Sequence, residues 1–174
     1  MSINKTLALA AGLGALAGLR TFTAPSVVSQ AASRNLLPLR RTPLRFLRSA
    51  ATAHTLSALA AGELVCDKLP FMPSRLAPEG LTARFASGAL CGAALMAAHR
   101  NRDSNALAVG AATGAVAAIA GAFAGHYLRR QIGQKLNVPD PAIAVVEDMI
   151  AVGGSIALVR RSASLRSYVT AGLL

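Results

Sequence analysis

Five predominantly apolar stretches, approximately residues 6–32, 49–69, 81–98, 105–128 and 142–160, constrain this chain more than any other feature. Each is long enough to cross about 30 Å of hydrocarbon at roughly 1.5 Å per residue. Inside a bilayer every backbone N–H and C=O needs a partner within the protein, and a helix supplies one without help from its neighbours. The expected fold is an all-α polytopic transmembrane bundle of about five spans, a single domain over residues 1–174. Composition agrees: 53% of the residues are hydrophobic and 14% charged, too apolar for an ordinary soluble domain. The third stretch is the shortest and carries Arg84 near its start, so a four-span version with that stretch in the interface is an alternative. Lys5 followed by Leu7 to Leu19 has the outline of a secretory signal. The apolar run continues through Phe22, Val27 and Val28, however, and favours a first span.

A formal net charge of +11 would suggest nucleic-acid binding in a soluble protein. Here the basic residues lie mostly between apolar stretches, where they orient a membrane protein, and no nucleic-acid partner is expected. Five crossings put the termini on opposite faces. One face then holds Arg34, Arg40, Arg41, Arg45, Arg48, Arg100, Arg102, Arg160, Arg161 and Arg166. The other holds Lys5, Lys68, Arg75, Arg84, Arg129, Arg130 and Lys135. The positive-inside rule favours the first face in the cytoplasm, hence N-terminus out and C-terminus in, across a cell (inner) membrane. Of the acids only Asp103 falls on the arginine face, whereas Glu63, Asp67, Glu79, Asp140, Glu147 and Asp148 lie towards the other. Acids barely affect insertion, so their crowding at one end has another cause.

Four small-xxx-small pairs recur: Gly14 with Gly18, Gly88 with Gly92, Gly110 with Gly114, and Gly121 with Gly125. Such faces let helix backbones approach closely where lipid supplies no drive for association. They serve packing within one chain or, alternatively, a homo-oligomer built on the fourth stretch. Gly14-Ala-Leu-Ala-Gly18 echoes Gly121-Ala-Phe-Ala-Gly125, and each precedes a stretch bearing an embedded glutamate, Glu63 or Glu147. Three crossings apart, the two would be oppositely directed, the arrangement of an inverted repeat.

Arg20-Thr21-Phe22-Thr23-Ala24-Pro25 interrupts the first stretch. Pro25 should kink or break the helix there, with Thr23 placed to cap a second half-helix. The exposed N–H groups of that half-helix, beside Arg20, suit an anionic group; the bland reading is a kink whose arginine pairs with an internal carboxylate. Glu63 and Asp67, four residues apart, share one helical face before Pro70, with Lys68 adjoining. Asp140 looks like the N-cap of the fifth stretch, and Glu147 and Asp148 follow two turns in. Arg84, His126 and Arg129 end level with these acids. Together with Arg20, Thr21 and Thr23 they are the candidate ligand- or ion-binding residues of a polar vestibule. A structural ion-pair network is the alternative.

The strings Gly18-Leu19-Arg20-Thr21-Phe22-Thr23-Ala24-Pro25, Gly62-Glu63 with Asp67-Lys68-Leu69-Pro70, and Glu147-Asp148 together resemble a family of small bacterial membrane proteins known only as a domain of unknown function. The resemblance covers roughly residues 10–155 and implies a bacterial multi-span membrane protein, with no reaction, substrate or cofactor attached. No Ser/His/acid or Cys/His set, P-loop or His-Glu-x-x-His is present, so catalysis and a cofactor are not expected. Cys66 and Cys91 lack zinc-ligand spacing and read as small buried side chains. The leading reading is a small transporter or channel-like protein handling a small ion or solute. The second is a non-transporting scaffold. The third is a metal-dependent enzyme on lipid head groups, holding a divalent cation through Asp67 and Asp148.

Overall fold

The computed structural model describes residues 2–66, 77–99, 104–136 and 140–170. The chain order is α1 (Ile3–Leu19), α2 (Thr23–Ser33), a 3₁₀ turn (Pro43–Arg48), α3 (Ala50–Cys66), α4 (Pro78–Ala98), α5 (Ser104–Leu136) and α6 (Asp140–Thr170). No strand occurs among the described residues, and the all-α membrane bundle expected from the apolar stretches is the architecture found. Three helices are long and apolar enough to cross a membrane: α4 over Pro78–Ala98, α5 over Ser104–Lys135 and α6 over Ala142–Ser164. The stretch with Arg84 is therefore a membrane-length helix packed between its neighbours.

The first apolar stretch is broken where expected, but its second half turns back. α1 ends at Arg20, whose φ of −138° and ψ of 117° leave the helix while its N–H still reaches the Leu16 carbonyl at 3.0 Å. α2 starts at Thr23 with Pro25 in its first turn, where a proline forfeits no intrahelical bond. α1 lies antiparallel to α6, with Leu16 against Gly154 and Gly12 against Leu158. α2 lies antiparallel to α3, because Thr21 and Phe22 meet Glu63 while Ser26 and Gln30 meet Ser57. The far end of α2 sits beside Ile156, Val159 and Arg160 of α6. Residues 6–32 are thus a helical hairpin rather than one kinked span, and the helices alternate in direction from α1 to α6. This corrects the five-span topology: the start of α1 and the end of α6 lie at the same end of the bundle, not on opposite faces. Lys5 joins Arg34, Arg40, Arg41, Arg45, Arg48, Arg160 and Arg161 there, at what we call the arginine end.

Glycines hold the centre. A Cβ on Gly14 or on Gly88 would run into the Gly114 carbonyl oxygen, and one on Gly92 into that of Gly110, so the backbones of α1, α4 and α5 meet almost directly. Gly18 abuts Ala118 and Ala122, and Gly121 abuts Ala15. All four glycine pairs are used inside one chain. These contacts also show α1 and α5 side by side in the same direction. The inverted repeat built on their echo is therefore corrected: the two strings run in the same direction and pack on each other.

Around this centre Leu9, Leu13, Ala17, Val28, Cys91 and Leu95 are buried, and Leu37, Leu39 and Leu47 close the arginine end. α2 finishes in a Schellman motif: Leu36 N–H reaches Ala31 O at 2.9 Å and Asn35 N–H reaches Ala32 O at 3.1 Å. Asn35 takes the left-handed φ of 62° that this cap requires, and its side chain accepts from Arg48 at 2.8 Å. Val109, Val116 and Phe123 on α5 and Val145, Met149 and Ile156 on α6 point outward, at positions a lipid-facing surface would occupy.

Close approach at Gly114 makes a direct prediction. Gly114→Val should destabilise the bundle by about 3 kcal/mol or more, through overpacking against two backbones. Gly153→Ala, where a Cβ meets nothing within 4 Å, should be neutral or stabilising by about 0.5–1 kcal/mol. Thermal unfolding of both purified variants in detergent checks the contrast.

Candidate functional site: an ion-paired layer at the helix break

The residues singled out in sequence meet where α1 gives way to α2. Stopping one helix and starting another frees the amides of Thr21 and Phe22. The Glu63 carboxylate, reaching over from α3, accepts both: Thr21 N–H at 2.7 Å on Oε1 and Phe22 N–H at 2.8 Å on Oε2. A carboxylate more than forty residues away thus caps α2. The expectation that Thr23 caps this half-helix is corrected. α2 begins at Thr23 with no side-chain cap bond, and the buried Thr23 hydroxyl finds no hydrogen-bond partner among the described residues. The anion suited to the half-helix N-terminus is the protein's own glutamate.

Arg20 is 1% exposed, and its Nη2 lies 2.6 Å from Asp148 Oδ1 on α6. Its backbone is the last of α1, so one residue position joins the helix terminus to a cross-bundle ion pair. On the opposite side of the break, the Ser87 hydroxyl of α4 donates to the Thr21 carbonyl, and buried Arg84 sits one turn earlier on that face. Glu147, 8% exposed, faces Arg129 of α5 at 3.5 Å. Gly125 lies beside this pair, and a Cβ there would press on the Leu19 side chain at 2.6 Å while only touching Glu147 Oε1 at 3.7 Å. Glu147 and Asp148 diverge by about 100° around α6, which is why one meets α5 and the other α1.

The layer therefore gathers Arg20, Arg84 and Arg129 with Glu63, Glu147 and Asp148, three formal charges of each sign drawn from α1, α3, α4, α5 and α6. Thr21 contributes its backbone. His126 is half-buried, stacks edge-on to Tyr127 at 6.0 Å between ring centres and makes no ion pair among the described residues. Asp67 and Lys68 lie outside the described residues. No three His, Cys, Asp or Glu side chains converge on a metal-sized site among the described residues. Sequence reasoning missed Ser87. The available signal was a hydroxyl one turn from Arg84 on a glycine-lined helix face.

Removing half of a buried pair costs more than removing both halves. Asp148→Ala should destabilise the protein by about 3–5 kcal/mol, and Arg20→Met combined with Asp148→Leu should recover most of that loss. Glu63→Ala, which strips two charge-assisted bonds from the α2 terminus, should cost about 3 kcal/mol. Unfolding in detergent, followed by circular dichroism, measures each value.

No curated protein and no solved structure matches the chain. The family described as Domain of unknown function (DUF4126) matches residues 7–163, which is nearly the whole bundle and every charged residue of the layer, and the chain belongs to that family.

Proposed function

We propose that the protein is a small transporter or channel-like membrane protein that handles a small ion or solute at the ion-paired layer. The observation that carries this reading is the Glu63 carboxylate seated on the N-terminus of a broken helix beside the Arg20–Asp148 pair. Broken helices whose half-helix ends point at charge are how membrane proteins build ion and anion sites near the midplane. Ionisable side chains are costly at membrane depth and mark such sites. Glu63 occupies the position an anionic substrate would take. Protonating it removes the negative charge at the α2 terminus and frees those amides for an incoming anion, with Arg20 alongside. Glu147 and Arg129 form the second exchangeable pair.

A scaffold is the second reading, favoured by the protein partners that Arg20, Glu63 and Glu147 all have. The two readings part on flux. Reconstituted in liposomes with an internal pH dye, wild-type protein should pass protons or small ions. Glu63→Gln and Glu147→Gln, if folded, should lose at least about ten-fold of that rate, equivalent to about 1.4 kcal/mol. Equal rates across wild type and variants would leave the scaffold.

The host membrane we propose is a bacterial inner membrane, with the arginine end in the cytoplasm by the positive-inside rule. Because α1 and α6 share that end, both termini are then inside. In a Cys66→Ala, Cys91→Ala background, Glu79→Cys should label with an impermeant thiol reagent in intact cells. Arg41→Cys should label only after permeabilisation.

A further inference from the structure

An open groove of about 270 Å³ lies between α2 and α6 at the arginine end. Its walls are Val27 and Ala31 on one side and Ile156 and Val159 on the other. Arg34 and Arg160, both exposed, stand at its mouth. Neither pairs with a carboxylate among the described residues, whose acidic side chains Glu63, Glu79, Glu147 and Asp148 all sit towards the other end of the bundle.

The groove is shaped for an amphiphile. From Arg34 to Ser26 it runs eight positions along α2, about 12 Å at 1.5 Å per residue, parallel to the neighbouring helix. Leu36 and Ile156 are half-exposed apolar residues at its rim, facing where lipid would be. The polar side chains on its inner wall, Ser26 and Gln30, are turned to the Ser57 hydroxyl at 3.1 Å each, leaving the lumen largely apolar. The Schellman cap at Asn35 fixes the end of α2, so Arg34 projects from anchored backbone rather than from a loose loop.

Two guanidinium groups with no carboxylate at hand among the described residues, above an apolar slot, match a phosphodiester carrying an acyl chain. Arginine binds phosphate through paired N–H donors, and basic pockets between helices on the cytoplasmic side take anionic head groups. A zwitterionic lipid brings an ammonium that competes for the phosphate and adds positive charge to a site already cationic. We propose that this groove binds one anionic glycerophospholipid, its phosphate between Arg34 and Arg160 and one acyl chain along Val27, Ala31, Ile156 and Val159.

The test is titration of full-length protein in detergent with a fluorescent phosphatidylglycerol, in competition with unlabelled phosphatidylglycerol, phosphatidylcholine and glycerol 3-phosphate. Phosphatidylglycerol should compete at least about ten-fold better than phosphatidylcholine. Arg34→Gln and Arg160→Gln should each weaken binding about five-fold, the size of one basic side chain's attraction to an anionic lipid. Arg40→Gln with Arg41→Gln, exposed cations outside the groove, should leave it unchanged. Ile156→Trp, filling the slot from its rim, should weaken lipid binding as well. All these positions are exposed, and unfolding temperatures confirm that each variant is folded. Three results overturn the proposal. Equal loss in the Arg40 and Arg41 variant would mean diffuse surface charge, and glycerol 3-phosphate competing as well as the lipid would mean an anion site without a chain. Undiminished binding in the Ile156 variant would place the chain elsewhere.

Discussion

A chain that reverses direction inside a packed helical bundle has to find partners for backbone groups that its helices no longer satisfy, because the buried apolar surroundings offer none. In this protein the reversal is three residues, Arg20 to Phe22, between α1 and α2. Glu63 takes the freed amides of Thr21 and Phe22, and Ser87 takes the Thr21 carbonyl. Those contacts tie α3 and α4 to the break. A negative group at that helix terminus is also favoured by the dipole of α2.

Once the chain turns back, the remaining charges have to be balanced where they fall. Arg20, the residue that ends α1, is the largest fully buried side chain among the described residues. Asp148, 2.6 Å away, offsets the cost of burying it. Glu147, next in sequence but rotated around α6, meets Arg129 on α5. The layer thus carries three formal charges of each sign among its named residues and is distributed over the helices. Such a set suits an assembly joint or a transport site, and flux separates them.

Much of this was legible in the residues. Apolar length gave membrane helices, and α3, α4, α5 and α6 fall close to the expected stretches. The Arg20–Pro25 string marked the break, because a proline and an arginine inside an apolar run have few other roles. Of the cations expected to end level with the acids, Arg129 meets Glu147, and Arg84 lies one turn from Ser87 at the break. What was not legible was angle. A proline signals that a helix stops but not whether the next one continues or turns back, since both leave the same amides free. That one ambiguity placed Lys5 at the wrong end of the bundle. It also turned a pair of parallel, mutually packed glycine strings into an apparent inverted repeat.

The sequence by itself determined that the chain is a helical membrane bundle with a break near Pro25, glycine faces for close packing and charge at one end, because each follows from local length, sterics and solvation cost. The tertiary structure alone decided which charges meet and which way α2 runs. Glu63 caps α2, Arg20 finds Asp148 rather than Glu147, and the glycines of α5 pack against α1 and α4. Pairing of this kind depends on helix rotation and register, set by the sum of backbone contacts across the bundle and not by any one residue's neighbours in the chain.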